Sequence, residues 1–136
     1  MPSKILIVDD DADLRQMMLC ALDPVAEVSQ AAGGHDALLM IKAQRPTLLL
    51  LDVSMPEMGG IEVLQAAREI DPNLIVVMLT GESDLAVAKR ALELGARTYI
   101  TKPFDIDVVV GEIQRLLDGL KGKNGPVPYR PWRVAI

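Results

Sequence analysis

Acidic side chains follow two apolar segments of this chain, where they could bind a cation beside a reacting group. Residues 4–8 run directly into Asp9 and Asp10, and the apolar run 47–51 ends in Asp52. Apolar runs of this length suit strands that are buried on both faces of a parallel sheet. In open α/β sheets, ligands bind just outside the carboxyl ends of the strands. The three carboxylates are therefore expected to share one crevice.

A hydroxyl and an ammonium group should reach the same edge of the sheet. Thr80 follows the apolar segment 74–79, and Lys102 follows the segment 98–101. Three neighbouring carboxylates repel one another, and they remain ionised together only with a cation among them. An all-oxygen set favours Mg²⁺ or a similar hard ion such as Mn²⁺, which often bridges to a phosphoryl group. Thr80 and Lys102 are suited to hold the other phosphoryl oxygens.

Strand signals and helix signals alternate along the whole chain. The predicted strands cover residues 4–8, 25–30, 47–52, 74–79 and 98–101. The predicted helices begin after Asp11, at Gly33-Gly34, near Ile61, after Ser83 or Asp84, and at Asp105. Right-handed crossovers between parallel strands place helices on both faces of a sheet, and a closed barrel would need about eight such units. The pattern therefore predicts an α/β fold with an open, doubly wound sheet.

The first helix carries the apolar pattern of a core-facing element. Leu14, Met17 and Met18 follow the spacing of one helical stripe, so both methionines are predicted to fill the core. Cys20 lies within the same pattern, and we expect it to be a small buried residue. A single cysteine cannot form an internal disulfide, which favours a reducing compartment.

Charge is distributed unevenly along the 136 residues. The formal net charge is −5, but the last sixteen residues carry four lysines and arginines and no acid, which leaves −9 on residues 1–120. Such an acidic body is a poor surface for nucleic acid, so no direct contact with nucleic acid is expected. Neither a signal sequence nor a membrane-length apolar run is visible, and we expect a cytoplasmic domain without membrane contact. Residues 121–136 read as a basic tail or linker that contains proline and glycine.

Four motifs in order resemble the receiver domain of two-component response regulators, similar to the chemotaxis receiver. They are Ile7-Val8-Asp9-Asp10, Leu51-Asp52-Val53-Ser54-Met55-Pro56-Glu57-Met58-Gly59-Gly60, Leu79-Thr80-Gly81 and Tyr99-Ile100-Thr101-Lys102-Pro103-Phe104. The resemblance covers about residues 4–120, which would form the receiver domain. It implies a flavodoxin-like doubly wound (βα)5 sandwich, with a five-stranded parallel sheet of order 2-1-3-4-5.

The resemblance also implies a reaction and a metal site. Asp52 would accept a phosphoryl group from a sensor histidine kinase or a histidine phosphotransfer protein. Asp10, Asp52 and the backbone carbonyl of Ser54 would bind Mg²⁺ or Mn²⁺, while Asp9 would act through a metal-bound water. Such a domain is a signalling phosphoacceptor, and it catalyses only its own phosphorylation and dephosphorylation.

Signalling in this family requires a second conformation. The resemblance implies that Thr80 and Lys102 contact the phosphoryl group, while Tyr99 couples the site to the face formed by helix 4, strand 5 and helix 5. That face would bind an output domain or a downstream protein, or a second copy in a homodimer. A cis Lys102–Pro103 peptide bond is also implied, although from the sequence alone a trans bond in an ordinary loop stays open.

Other functions remain possible at this point. Each acidic residue could by itself be a helix cap, and Thr80 or Lys102 could simply end a strand. A phosphohydrolase of the haloacid-dehalogenase type would need a second aspartate two residues after Asp52, where Ser54 stands. No GxxxxGK[ST] motif for nucleotide binding is present. A receiver-like docking module that works without phosphorylation is the more serious alternative, and the complete set of site residues argues against it.

Overall fold

The structure, a computed structural model, describes residues 3–81 and 85–121. The strands are β1 (Lys4–Val8), β2 (Glu27–Ala31), β3 (Leu48–Asp52), β4 (Ile75–Gly81) and β5 (Thr98–Lys102). The helices are α1 (Ala12–Leu22), α2 (Gly34–Gln44), α3 (Gly60–Ile70), α4 (Leu85–Glu93) and α5 (Ile106–Lys121). The predicted cap at Ser83 or Asp84 and the tail 122–136 lie outside the described residues.

All strand pairs in the sheet are parallel, and the strand order is β2-β1-β3-β4-β5. This confirms the predicted doubly wound fold and its strand order. Val8 pairs with Leu51 on β3, and Asp52 pairs with Leu79 on β4. This register brings the carboxyl ends of β1, β3 and β4 to the same level.

Helices cover both faces of the sheet. Ile5 and Ile7 of β1 face a core built with α1 and α5, whereas Leu6 and Val8 face a second core built with α2, α3 and α4. Every residue of β3 is buried, as its unbroken apolar run predicts. The central strands are thus fixed from both sides, and they form a rigid base for the residues at their carboxyl ends.

The prediction for α1 was wrong at two positions. Met18 is fully buried, but the Met17 residue is 45% exposed and Cys20 is exposed as well. Successive helical residues are about 100° apart around the axis, and α1 buries a narrow row that includes Met18 and Leu22. Only one side of α1 packs against a core, and Met17 and Cys20 lie on the side that faces solvent.

Strand boundaries differ from the predicted ones by one or two residues. β2 starts at Glu27 instead of residue 25, and β4 continues through Thr80 and Gly81. Thr80 is therefore part of the sheet, and it pairs with Thr101 on β5. In the part of the chain that the structure describes, no helix is both long enough and apolar enough to cross a membrane.

Candidate functional site

The carboxyl edge of the sheet gathers the polar residues that the sequence singled out. Asp9 follows β1, Asp52 ends β3, and Lys102 ends β5. Asp9 and Asp52 are only 1% and 4% exposed, whereas Asp10 is exposed to solvent. Two carboxylates thus lie inside the protein surface, and a third lies at its rim.

The Lys102 ammonium lies between the two buried carboxylates. Its Nζ is 3.1 Å from Asp52 Oδ1 and 3.2 Å from Asp9 Oδ2, so it donates a hydrogen bond to each. The Lys102 side chain is 31% exposed, so it is more accessible to solvent than either of the two carboxylates that it contacts. A single positive charge is therefore shared between two acids that are almost completely removed from water.

Burial and charge shift the acidity of both partners. Burial raises the pKa of Asp52 above its ordinary value of 3.8; the hydrogen bond from Lys102 opposes this shift, and the charge of Asp9 adds to it. Burial alone would lower the pKa of Lys102, but the hydrogen bond and charge of Asp52, together with Asp9, raise it overall. Lys102 therefore stays protonated, while the negative charge on Asp52 is only partly compensated.

Asp9, Asp10 and Asp52 could together hold a metal ion. Each offers one carboxylate oxygen, and these oxygens all lie within 4.8 Å of one another. Three carboxylates against one ammonium leave an excess of two negative charges, which matches a divalent cation. The all-oxygen donor set suits Mg²⁺ or Mn²⁺ in particular. Ser54 lies two residues after Asp52 in an exposed loop, and a hydrogen bond from its backbone lowers the pKa of Asp52 against the effect of burial.

Thr80 brings a buried hydroxyl group to the carboxyl end of β4. Thr80 is fully buried, and no hydrogen-bond partner for its Oγ1 was found among the described residues. A buried hydroxyl without a partner carries a desolvation cost, so this Oγ1 is ready to bond to a group that enters the site. Tyr99 is partly buried and packs against the core on the side of α2, α3 and α4. The Lys102–Pro103 peptide bond is cis.

Gly60 brings α3 against the backbone of Asp52, and this contact was not predicted. The Gly60 amide donates to the Val53 carbonyl at 3.0 Å. A Cβ at Gly60 would lie 2.4 Å from the Asp52 carbonyl oxygen, which is closer than any side chain tolerates. The predicted helix begins only near Ile61, and a glycine just before a helix is common for many reasons, so it does not indicate a close contact.

Arg15 also supports the site and was not predicted. Its Nη1 donates to the Asp9 carbonyl at 2.7 Å, and its Nε donates to Gln30 Oε1 at 2.9 Å. Asp11 caps α1 as predicted, because its Oδ1 accepts from the amides of Asp13 and Leu14. Side chains on a helix tilt toward its amino terminus, so an arginine one turn after this cap could have been expected to reach back to the strand.

Comparison with known protein families shows the family to which the chain belongs. The sequence model described as the response regulator receiver domain matches residues 5–114. The chain belongs to this family. It is therefore a receiver domain of two-component signal transduction, with the phosphoacceptor function of that family. Receiver domains interact with histidine kinases and with output domains.

Relatives and solved structures agree with this assignment. Sporulation initiation phosphotransferase F of Bacillus subtilis (strain 168) is 38% identical over 118 residues, which cover 86% of this chain and 95% of that protein. The DNA-binding transcriptional regulator NtrC of Proteus hauseri is 32% identical over 123 residues, 90% of this chain but only 26% of that protein. The structure of chemotaxis protein CheY4 of Vibrio cholerae has a TM-score of 0.78 and 32% identity, covering 85% of this chain and 98% of that one.

Proposed function

We propose that Asp52 is the phosphoacceptor of this receiver domain. The supporting observation is the position of its carboxylate, which is buried, contacts the Lys102 ammonium at 3.1 Å, and lies within 4.8 Å of carboxylate oxygens of Asp9 and Asp10. The donor is the phosphohistidine of a sensor histidine kinase or of a histidine phosphotransfer protein. The domain catalyses only its own phosphorylation and dephosphorylation, and it acts on no other substrate.

The transfer is an in-line displacement at phosphorus. An Asp52 carboxylate oxygen forms the new bond to phosphorus, while the phosphorus–nitrogen bond breaks and its electron pair returns to the donor imidazole. Lys102 already contacts Asp52 Oδ1, so its ammonium needs to move little to neutralise charge on the transferred oxygens. Positioning and electrostatic stabilisation are the main contributions that a protein makes to such transfers.

Asp10, Asp52 and the backbone carbonyl of Ser54 would hold Mg²⁺ or Mn²⁺, with Asp9 acting through a bound water. When bound, the cation neutralises charge between the acceptor carboxylate and the incoming phosphoryl oxygens. Asp9 is the more deeply buried of the two carboxylates that Lys102 contacts, at 1% exposure, and it accepts hydrogen bonds from Lys102 Nζ and from the Asp11 amide. These bonds hold Asp9 in place beside the other two acids.

Phosphorylation would switch the domain through Thr80 and Tyr99. A phosphoryl group brings about two negative charges and three acceptor oxygens, and Thr80 Oγ1 is a buried donor without a partner in the described residues. Movement of Thr80 toward the phosphoryl group would free space for Tyr99 to turn inward. The surface formed by α4, β5 and α5 would then change its affinity for an output domain, a downstream protein or a second copy. A coupling energy of about 1–3 kcal/mol is typical of such switches.

Residues 1–120 form the receiver domain, and residues 121–136 form a basic C-terminal tail or linker that contains proline and glycine. The domain works in the cytoplasm, as response regulators typically do, and it touches neither a membrane nor nucleic acid directly. The excess of acidic residues in the domain supports the last point, because it disfavours binding to phosphate backbones.

Intact-mass measurement after incubation with acetyl phosphate tests this function. Wild-type protein should gain one phosphoryl group when Mg²⁺ is present and none without it, whereas Asp52→Asn should gain none. Asp118→Asn is the matched control, because it makes the same change at an exposed position on α5 and should behave like wild type. Phosphorylation of Asp52→Asn would overturn the assignment. No adduct and no response to Mg²⁺ would favour a docking module that works without phosphorylation.

A further inference from the structure

The Arg15 guanidinium joins the ends of two neighbouring strands beside the acidic cluster. Its Nη1 donates to the Asp9 carbonyl at 2.7 Å, and its Nε donates to the Gln30 side chain at 2.9 Å. Gln30 belongs to β2, where it pairs with Ile7 of β1. The arginine is thus held by β2 on one side, and it holds the residue that follows β1 on the other.

The hydrogen bond from Arg15 to the Asp9 carbonyl holds a peptide group that lies just beyond the end of β1. The β1–β2 ladder ends where Val8 pairs with Ala31, and the Asp9 amide still donates to the Ala31 carbonyl at 3.3 Å. The Asp9 carbonyl lies beyond the ladder and accepts its hydrogen bond from Arg15. A charged donor makes this bond stronger than one between neutral groups. Because a peptide group is planar, holding the Asp9 carbonyl also holds the amide nitrogen and the Cα of Asp10.

Asp10 depends on this support more than Asp9 does. The Asp9 carboxylate accepts from the Asp11 amide at 2.9 Å and from Lys102 Nζ at 3.2 Å. Asp10 is exposed, and within residues 3–81 and 85–121 no hydrogen-bond partner for its carboxylate was found. The backbone of Asp10 therefore sets the point from which its side chain reaches a carboxylate oxygen to within 4.8 Å of oxygens on Asp9 and Asp52.

We propose that Arg15 is a positioning residue that directs the Asp10 carboxylate toward the divalent cation. The inference rests on the proposed function, in which Asp10 is a metal ligand. Arg15 does not touch the cation; it acts through the Asp9–Asp10 peptide group. Residues that orient metal ligands without contacting the metal typically change its affinity by about 10- to 100-fold when they are replaced.

Isothermal titration of the full chain with Mg²⁺ alone tests this role. Arg15→Gln and Arg15→Lys should both weaken Mg²⁺ binding by about 10-fold or more. The lysine variant separates the two possible causes, because it keeps the positive charge but lacks the planar guanidinium whose Nη1 and Nε donate to the Asp9 carbonyl and to Gln30. Wild-type affinity in Arg15→Lys would show that charge alone matters, and it would overturn the proposal.

Arg45→Gln is the matched control. Arg45 also donates from Nη1 to a backbone carbonyl, that of Ile70, at 3.1 Å, but it lies where α2 and α3 end, at the opposite edge of the sheet. This variant should bind Mg²⁺ like wild type. Gln30→Leu removes the support behind Arg15 without changing any charge, and it should weaken Mg²⁺ binding less strongly than Arg15→Gln. Unchanged affinity in a folded Gln30→Leu variant would argue against positioning, even if Arg15→Gln failed to fold.

Asp10→Asn separates failure of this inference from failure of the proposed function. If wild type binds no Mg²⁺, or if Asp10→Asn binds it as well as wild type, the proposed metal site itself is wrong. If Asp10→Asn loses affinity while both Arg15 variants bind like wild type, the metal site stands and the positioning role is refuted. The chemical shifts of the Asp10 and Asp11 amides give a second readout, since they should change in the Arg15 variants even without metal.

Discussion

Replacing Gly60 by alanine should damage both the stability and the chemistry of this domain. A Cβ at Gly60 would lie 2.4 Å from the Asp52 carbonyl oxygen and 2.8 Å from the Val53 Cα, and both of these are backbone atoms. Since contacts below 3.4 Å already force a neighbour to move, α3 and the end of β3 must separate by about 1 Å. Helix propensity alone would favour alanine over glycine by about 1 kcal/mol. The steric cost should exceed this gain, because overpacking against backbone atoms that cannot rotate away costs about 1–3 kcal/mol. Gly60→Ala should therefore be less stable than wild type.

The same displacement should slow phosphoryl transfer. Asp52 lies at the end of β3, so moving its backbone changes the position of its carboxylate relative to Lys102, now 3.1 Å away. A misplacement of about 1 Å at a reacting group can lower a rate by roughly 10²-fold. We therefore expect folded Gly60→Ala to react with acetyl phosphate about 10²-fold more slowly than wild type. Urea denaturation measures the stability, and intact mass against time measures the rate.

Gly59→Ala is the control for this experiment. The nearest atom to a Cβ at Gly59 is the Val53 carbonyl oxygen at 3.8 Å, an ordinary contact. Gly59 is the N-cap of α3, where alanine is less favourable than glycine, so this variant should lose at most about 1 kcal/mol of stability, and its rate should be unchanged. Equal stability and equal rates for the two alanine variants would refute the steric reasoning. Normal phosphorylation of a destabilised Gly60→Ala would instead refute the link between α3 and the position of Asp52.

Three further predictions concern the charged and polar groups of the site. Burial raises the pKa of Asp52, so the folded wild type loses stability as pH rises from 3.8 through the folded pKa and the carboxyl group ionises. Asp52→Asn cannot ionise, and it should therefore be more stable than the metal-free wild type at neutral pH. Thermal unfolding should show this gain vanishing below pH 3.8, and a gain that does not vary with pH would contradict the stated cause. Thr80→Val should stabilise the unphosphorylated protein against urea by about 1 kcal/mol, because it removes a buried hydroxyl that has no partner in the described residues. A loss of stability would instead show that the hydroxyl forms a hydrogen bond in the folded protein. Mg²⁺ at 100 times its Kd should stabilise wild type by about 2.7 kcal/mol, and chelation should reverse the effect. Asp10→Asn should show little of this stabilisation, and an undiminished effect in that variant would exclude Asp10 as a ligand.

The fold and the charged residues of the site could be predicted because two regularities coincide. An unbroken apolar run such as that of β3 is typical of a strand buried on both faces, and all five residues of β3 are indeed buried. Parallel strands joined by helices present their carboxyl ends at the same edge of the sheet. The proximity of Asp52 and Lys102 could therefore be predicted without knowledge of any side-chain contact. The failures at Met17 and Cys20 have a different origin. The spacing of apolar residues predicts that a helix has a buried face, but the width of that face depends on the elements that pack against the helix. In α1 the buried face is only a narrow row.

The supporting contacts could not be predicted because they involve backbone groups that every sequence contains. Arg15 and Gly60 both act on main-chain carbonyls, those of Asp9 and Asp52, and a carbonyl leaves no signature in the sequence. Which carbonyl a helix reaches depends on where the helix lies on the sheet, and this is set by the packing of both cores. The two contacts nevertheless act on the backbone of residues to which the proposed function assigns metal binding and phosphoryl transfer. A carboxylate at a strand end can therefore be predicted from the sequence to be a reactive group, but how precisely it is placed depends on residues that only the three-dimensional structure identifies.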